Sequence, residues 1–304
     1  MTYGKKDLPY PYCADFSGIV TRVKGVREST RAALVNSLKV ASYLKAGANL
    51  IERNLGAQRP PTATGDGRKQ YWSGLSFLTE RALSAEVEEL ELPFLRQKGA
   101  GPYRSTWASH DDYLNDLLSF MLHAINYDPQ YGADVETRGD WLASDDSLVD
   151  AVDRSSYHEL MALCRMPLFK LQLIMVATAH RNDGIRNSIA NNYAGALEPW
   201  MKIYEETIAA RGYRLRPGIT IQEFTNLLAA VTEGLAVRHL GDPSVDIADH
   251  GPTENLVGKG VLGLMAAYLE PLDEAPGLSL RELFERSTNK RSANTRSAIN
   301  GGPK

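Results

Sequence analysis

The stretch from Leu197 to Pro243 contains two amphipathic helices joined by a sharp turn, and it constrains the fold more than any other part of the chain. Apolar side chains recur at three- and four-residue spacing in both helices, which predicts that each helix presents one stripe to a core. Gly212 is placed to close the first helix in a left-handed conformation. Thr220 and Glu223 have the spacing of a capping box, so the second helix is predicted to begin there.

Helical patterns also account for most of the remaining chain. We predict helices from Ser29 or Thr30 to Leu55, from about Leu78 to Leu90 with Thr79 as a cap, from Ser109 to about Asn126, across Asp145–His180 with an interruption at Pro167, around Ile185–Trp200, and from Leu256 to Leu269. No stretch alternates with period two over enough residues to make a strand. The sequence therefore predicts an all-α fold.

Four segments lack a helical pattern. Residues 1–27 are basic and contain several Pro and Gly, which predicts an irregular or mobile arm. Residues 57–70 are predicted to be a polar loop, 127–144 a connector, and 287–304 a disordered tail. The connector is the most natural place for a domain boundary. We therefore place one helical region over 28–126 and a second, which begins with the connector, over 127–286.

The composition excludes several classes of protein. The chain has 304 residues, of which 43% are hydrophobic and 23% charged, as in ordinary globular proteins. No apolar run approaches the roughly 20 residues of a membrane helix, and the N-terminus lacks the apolar core of a secretory signal. The two cysteines are too few for a disulfide framework. We therefore expect a cytoplasmic protein that does not bind membranes.

The charge is distributed unevenly along the chain. Residues 1–110 contain 16 Lys and Arg against 10 Asp and Glu, whereas the remainder contains 18 against 27. A basic first third on an acidic remainder is typical of a protein that presents its first part to a polyanion such as DNA. Chance unevenness of a solvated surface is the alternative interpretation.

The helices between Leu168 and Leu269 resemble the C-terminal domain of the tetracycline-repressor (TetR) family. The resemblance rests on a helix containing Trp200, a loop ending in Arg216-Pro217-Gly218, a helix reading EFTNLLAAVTEGLAVRHLGDP, and a later helix of small residues. It implies a homodimeric transcriptional regulator with a three-helix, helix-turn-helix DNA-binding domain over 28–126. Residues 127–286 would then form the effector-binding and dimerisation domain. The implied partners are double-stranded operator DNA, a small-molecule effector and a second copy of the chain.

A second part of the resemblance lies in residues 101–118. Tyr103, Trp107 and the Ser109-His110 pair match a Tyr, an aromatic residue and a Ser-Lys pair around the end of the TetR recognition helix, although Pro102 departs from that pattern. Polar and cationic groups here can donate to phosphates and base edges. The residues predicted to contact DNA are Arg96, Gln97, Lys98, Tyr103, Arg104, Thr106 and Ser109. The alternative is that the two aromatic residues belong to the core and the cations are simply solvated.

Two further sets of residues follow from the resemblance. Aromatic and Met side chains on helices suit a cavity for an apolar or aromatic effector, and an ordinary helix-bundle core is the alternative. The predicted effector-binding residues are Tyr157, Met161, Cys164, Phe169, Met175, Trp200 and Tyr204. Apolar and small-residue faces on the helices near 221–240 and 256–269 predict a dimer interface. Its predicted residues are Phe224, Leu228, Val231, Val261, Leu264 and Tyr268.

Motifs for catalysis or for binding metals and cofactors are weak. Residues 258–263 fit the pattern GxGxxG, but no predicted strand precedes them. The His and Asp residues between His110 and His123 fall on several faces of one helix, which does not suit a metal site. We therefore expect a regulator rather than an enzyme, with no cofactor. The alternative is a helical small-molecule-binding protein or enzyme that has lost DNA binding.

Overall fold

The computed structural model describes residues 3–25, 27–56, 74–126, 129–177, 179–248 and 251–286. Over these residues the chain is mostly helical, which confirms the predicted class. A small antiparallel sheet is also present, so the expectation of no strands was wrong. Each strand has only three residues, which is too short for an alternating pattern to be seen. The predicted loop 57–70 and tail 287–304 lie outside the described residues.

The elements are numbered here in chain order. The helices are α1 (Glu28–Val35), α2 (Leu38–Leu55), α3 (Glu80–Glu88), α4 (Gly101–Thr106), α5 (His110–Met121), α6 (Pro129–Ser144), α7 (Leu148–Arg165), α8 (Pro167–Val176), α9 (Asp183–Ala210), α10 (Ile221–Gly241), α11 (Leu256–Tyr268) and α12 (280–286). The strands are β1 (Tyr213–Leu215) and β2 (Leu269–Pro271), which pair with each other.

The chain divides into two compact units, each built from two separate segments. The first unit comprises Met1–Asp128 and Arg165–Ala196, and the second comprises Pro129–Cys164 and Leu197–Lys304. The region predicted as a single C-terminal domain therefore contains a segment around α8 that belongs to the first unit. Helix α9 contributes its beginning to the first unit and its end to the second.

Helix α2 is the centre of the first unit, because α3, α4, α5 and α8 all contact it. Tyr43, in the middle of α2, is fully buried. Gly47 lies where α5 comes closest. A Cβ atom at Gly47 would clash with the Tyr113 hydroxyl and would lie 2.6 Å from the methyl groups of Leu117. Only a residue without a side chain allows the two helices to pack this closely.

We expect Gly47→Ala to lower the free energy of unfolding by about 1–3 kcal/mol, because the added methyl group overpacks the core. Gly132→Ala is the matched control, since Gly132 is also helical and has no atom within 4 Å of an added Cβ. That change is expected to stabilise the protein by up to about 1 kcal/mol through helix propensity. Chemical denaturation measures both effects. Equal stabilities for the two variants would contradict the close packing of α2 on α5.

Residues 3–25 are irregular, as predicted, apart from a 3₁₀ turn at Lys5–Asp7, but they pack into the core of the first unit instead of forming a mobile arm. The buried side chains of this segment are Leu8, Tyr12, Phe16, Ile19, Val20 and Val23. Val23 also pairs with Trp107 in an isolated β-bridge, and the Lys24 N–H donates to the Thr106 carbonyl at 2.7 Å. The apolar area that these residues bury stabilises a segment without regular structure.

The helix predicted from Ser29 or Thr30 to Leu55 is broken into α1 and α2 at Asn36 and Ser37. The Asn36 side chain accepts the Phe16 N–H at 3.0 Å and donates to the Asp15 carboxylate at 2.7 Å. The Ser37 hydroxyl accepts the Val40 N–H at 3.3 Å and so caps α2. The hydrogen bonds of these two side chains stabilise a break in the chain at this point, where a continuous helix would otherwise run on.

The predicted connector 127–144 is largely helical, because α6 covers all of it except the first two residues, which lie outside the described part. Val135, Arg138 and Leu142 are buried at the three- and four-residue spacing of one helix face. Gly139 lies on the same side, where a Cβ atom would approach Ile203 to 3.1 Å. The glycine and charged residues of this segment led to its prediction as a connector.

Several predicted helix boundaries are confirmed. Thr79, Ser109 and Thr220 cap α3, α5 and α10, and the last two form complete capping boxes. Pro167 separates α7 from α8, as expected for a residue that breaks the helical hydrogen-bond ladder. Gly212 has a φ of +71°, which fits its predicted place at the end of α9.

Candidate functional site

The predicted DNA contacts lie in and around α4, which follows α3 after a connector containing a 3₁₀ turn at Pro93–Leu95. Helix α4 has only six residues. Its Gly101, Arg104 and Ser105 are exposed, whereas Tyr103 and Thr106 are buried. A molecule that approaches α4 therefore meets a narrow polar face.

The buried side of α4 belongs to an aromatic cluster formed by Tyr43, Tyr103, Trp107 and Tyr113. Their ring centroids lie 5.0–5.8 Å apart in mostly edge-to-face geometry, which is the favoured arrangement for aromatic pairs. The structure thus supports the alternative interpretation of Tyr103 and Trp107 as core residues. The cluster fixes α4 between α2 and α5.

Tyr103 and Thr106 do not present polar atoms to an incoming nucleic acid. The Tyr103 hydroxyl lies 2.7 Å from His110 Nδ1, and His110 Nε2 lies 2.7 Å from the Leu78 carbonyl. Because a carbonyl can only accept, Nε2 carries the ring proton and Nδ1 accepts from Tyr103. Thr106 is fully buried and donates to the Pro102 carbonyl at 2.8 Å.

Three of the predicted DNA contacts form hydrogen bonds within the first unit, namely Ser109, Arg96 and Gln97. The Ser109 hydroxyl caps α5 by accepting the Asp112 N–H, and it donates to the Asp112 carboxylate at 2.8 Å. Arg96 Nε donates to the Leu90 carbonyl at 2.7 Å, and the Gln97 amide lies 3.5 Å from the Leu95 carbonyl. The contacts of Arg96 and Gln97 stabilise the connector between α3 and α4, and those of Ser109 stabilise the start of α5.

Like Arg96, the other two predicted cationic contacts, Lys98 and Arg104, lie at the surface. Lys98 is exposed. Arg104 Nε donates to the Glu80 carboxylate at 2.8 Å, with 73% of the Arg104 side chain exposed. An ion pair this exposed contributes little to stability, because water already solvates both charges. Arg104 can therefore exchange Glu80 for another anion at small cost.

The structure places two further lysines beside Arg104, and we call Lys24, Lys39, Arg104 and Ser105 the basic patch. Lys24 Nζ donates to the Arg104 carbonyl at 2.6 Å, and Lys39 Nζ donates to the Ser105 hydroxyl at 3.3 Å. The patch thus joins the N-terminal segment, α2 and α4. The sequence indicated a basic N-terminal segment but not that its Lys24 would lie at the end of α4.

Asp116 holds the N-terminal segment against this region. It is 1% exposed and accepts the backbone N–H groups of Thr21 and Arg22 at 2.7 and 2.9 Å, together with Trp107 Nε1–H at 2.8 Å. Burial raises the pKa of the Asp116 carboxyl, and these hydrogen bonds oppose that rise. Lys24 lies two residues after Arg22, so this carboxylate helps to position one end of the basic patch.

The predicted effector-binding residues separate into two groups. Phe169 and Met175 are buried in the first unit. The other predicted residues belong to the second unit, where Cys164 and Trp200 are buried and Tyr157, Met161 and Tyr204 are half-buried. The predicted effector-binding residues are therefore divided between the two units.

Within the second unit, Trp200 and Tyr204 lie beside a buried ion pair that the sequence did not predict. Arg138 contacts the Glu159 carboxylate at 2.9 Å, and its guanidinium carbon lies 5.6 Å from the centre of the Trp200 ring. The Trp200 and Tyr204 rings stack with centroids 5.5 Å apart. Burial, followed by the charge of Glu159, raises the pKa of the Tyr204 hydroxyl. This cluster thus combines two stacked rings, a cation and an anion in the interior of the second unit.

The predicted dimer residues mainly face the interior of their own unit. Phe224 and Leu228 are 2% and 3% exposed. Val261, Leu264 and Tyr268 pack around the same cluster and are half-buried, as is Val231. They therefore join α10 to α11 within one chain.

The outer faces of α10 and α11 carry small and apolar residues. Ala230, Gly234 and Val237 are exposed on α10 at the spacing of one helix face. Gly263 and Ala266 are exposed on α11 in the same manner. An added Cβ at Gly234 or Gly263 would meet no atom within 4 Å. This smooth surface permits close approach of another helix.

The comparisons with known proteins give no family. No protein-family model, curated protein or solved structure matches the chain. No helix among the described residues is long and apolar enough to cross a membrane. The same part of the chain contains no group of three or more His, Cys, Asp or Glu side chains arranged to hold a metal ion.

Proposed function

We propose that the chain is a TetR-like transcriptional regulator that binds operator DNA as a homodimer and is released from DNA, or shifted on it, by a small-molecule effector. The observation that carries this proposal is the basic patch, which brings cations from three segments to the exposed face of a short helix. A short helix that follows another helix and rests on a central third helix suits insertion into a groove of DNA. The resemblance of the C-terminal helices to the TetR family supports the rest of the proposal.

The basic patch is suited to phosphate contacts more than to the reading of bases. Lysines are mobile point charges, whereas Arg104 can use its remaining N–H groups on a phosphate or a guanine edge. The Ser105 hydroxyl adds a neutral donor next to them. Phosphate contacts release condensed counterions, so the affinity for duplex DNA should fall steeply as salt rises.

The effector would bind at the Trp200–Tyr204 cluster of the second unit. The stacked rings supply a flat apolar surface, and Arg138 and Glu159 next to them supply directional polar contacts. We therefore favour a planar aromatic effector that also carries polar groups. A purely apolar effector is less favourable, because it would cover the ion pair near the rings without offering it polar contacts.

We expect the double variant Lys39→Ala/Arg104→Ala to bind a mixed-sequence DNA duplex more weakly and with a smaller salt dependence than the unmodified chain. Each lost phosphate contact should reduce the slope of log affinity against log salt by about 0.9. Fluorescence anisotropy over a salt series measures this. The matched control is Lys202→Ala/Arg281→Ala, which removes the same charge from side chains that are 79% and 89% exposed in the second unit.

The comparison of the two double variants separates a local effect from a general effect of charge. Equal losses in both would show that only net charge matters and would contradict a contact surface at the basic patch. Failure of the unmodified chain to bind duplex DNA at low salt would favour the alternative, a helical ligand-binding protein or enzyme without DNA binding.

We expect Gly234→Arg to produce monomers, because the proposed dimer would bury the outer faces of α10 and α11. Gly234 is exposed and has free space around it, so the arginine does not clash within its own chain. Sedimentation equilibrium of both proteins at micromolar concentration measures the effect, with Gly132→Arg as the control on α6. A monomeric unmodified chain, or a dimeric Gly234→Arg variant, would contradict this interface.

A further inference from the structure

A surface pocket of about 480 Å³ lies in the first unit between residues 6–9, Lys45 of α2 and the connector 90–95. Its lining includes Leu8, Leu90 and Leu95, whose side chains also belong to the core. The volume lies within the roughly 300–1,000 Å³ of typical small-molecule sites. The proposed function uses none of these residues, so the pocket needs a separate explanation.

Two lysines line the pocket without a carboxylate partner in the described part of the chain. Lys45 is half-buried, and its Nζ lies 5.4 Å from the centre of the Tyr12 ring. Lys6 is exposed on the opposite segment. Because Lys45 is partly shielded from water, its charge is screened less than that of a fully exposed lysine. The pocket thus contains a cation that a ligand can pair with.

The acidic residues of the lining do not neutralise the charge of Lys45. The Asp7 carboxylate accepts the Gly4 N–H at 2.7 Å and is exposed. Glu91 is also exposed, so water solvates its charge. The buried apolar lining and the half-buried cation are therefore the features that a ligand would have to match.

We propose that this pocket binds a small amphipathic anion, with an apolar chain or ring system against Leu8, Leu90 and Leu95 and a carboxylate paired with Lys45. A charge-assisted hydrogen bond from Lys45 would orient the ligand, and burial of its apolar part would supply most of the affinity. The volume favours a single small molecule over a peptide helix. This binding site goes beyond the proposed function and does not depend on it.

Dansylaminoundecanoic acid is a suitable probe, and its fluorescence can be titrated with the full-length chain. We expect saturable binding to one site and weaker binding of the corresponding alcohol, which lacks the carboxylate. Lys45→Met keeps the apolar stem of the side chain and removes its charge. It should weaken binding of the acid by about tenfold or more and should remove the preference for the acid over the alcohol.

Glu91→Gln is the matched control, because it changes a charge on the same pocket and should leave the affinity for the acid unchanged or raise it. Circular dichroism melting of both variants checks that they fold. If Lys45→Met fails to fold, the comparison of acid with alcohol on the unmodified chain still decides. Absence of saturable binding, equal affinity for acid and alcohol, or unchanged affinity in a folded Lys45→Met variant would each overturn the proposal.

Discussion

Replacement of Asp116 by alanine is expected to lower the free energy of unfolding by about 3–5 kcal/mol, since a buried donor left without its acceptor costs about 1–3 kcal/mol. The carboxylate accepts the N–H groups of Thr21 and Arg22 and the indole N–H of Trp107. All three donors would lose this acceptor at once. The N-terminal segment should then detach from α5 more readily, because two of these bonds hold its backbone.

Asp111→Ala is the control for this variant. Asp111 lies in the first turn of the same helix and is exposed, so its removal should cost only about 0.3–1 kcal/mol of helix-dipole stabilisation. Denaturant unfolding of both variants gives the comparison, and hydrogen exchange at residues 21–22 reports on the detached segment. If Asp116→Ala is no less stable than Asp111→Ala, the N-terminal segment does not depend on this carboxylate.

The second large effect is expected from Glu159→Ala in the second unit. The Arg138 side chain is 6% exposed and the Glu159 side chain 14%, so both charges of this ion pair lie largely out of water. Removal of one partner from such a pair costs about 3–5 kcal/mol, because the other charge stays buried without its counterion. Trp200 packs against the same guanidinium and should become more mobile.

The double variant Arg138→Met/Glu159→Leu removes both charges. It shows how much the intact ion pair contributes to the free energy of unfolding, as distinct from the loss caused by one unpaired buried charge. Replacement of both charges by apolar groups of similar size is often close to neutral, so most of the lost stability should return. Glu206→Ala is the control, since Glu206 pairs with Lys202 at the surface at 3.9 Å and should change stability by less than about 1 kcal/mol. A Glu159→Ala variant as stable as this control would contradict the buried pair.

The sequence predicted those features of the fold that depend on neighbouring residues. Thr79, Ser109 and Thr220 cap helices because their side chains reach the backbone N–H group three residues further along the chain. Gly212 closes a helix through its own conformation. Such local signals do not depend on the rest of the fold, so they could be identified in advance.

Features that depend on distant contacts could not be predicted in the same way. The N-terminal segment is fixed by Asp116, which lies more than 90 residues further along the chain. Strands β1 and β2 pair across more than 50 residues of sequence, as Arg214 and Glu270 show. The core-facing stripe of α6 includes Arg138, whose burial makes sense only with Glu159 opposite. In each case the partner is absent from the local sequence.

The candidate sites likewise combine features that local sequence predicts with features that depend on distant contacts. Thr106 and Trp107 lie three and four residues after Tyr103, which places all three on one side of the helix. A place in the core was the alternative for the two aromatic residues, whereas Thr106 was predicted only as a DNA contact and is buried. Arg104 and Ser105, which lie between them, point to the surface and meet Lys24 and Lys39. The lysines came from other segments, so only the structure could join them.

Selection from a randomised library of DNA duplexes by the full-length chain tests the proposed function most directly. A homodimeric regulator should enrich an inverted repeat whose half-sites lie about one helical turn, roughly 34–36 Å, or a multiple of it, apart. The Lys39→Ala/Arg104→Ala variant should enrich the same repeat weakly or not at all. Absence of any enriched sequence at low salt, or equal enrichment by the variant, would contradict DNA recognition through the basic patch.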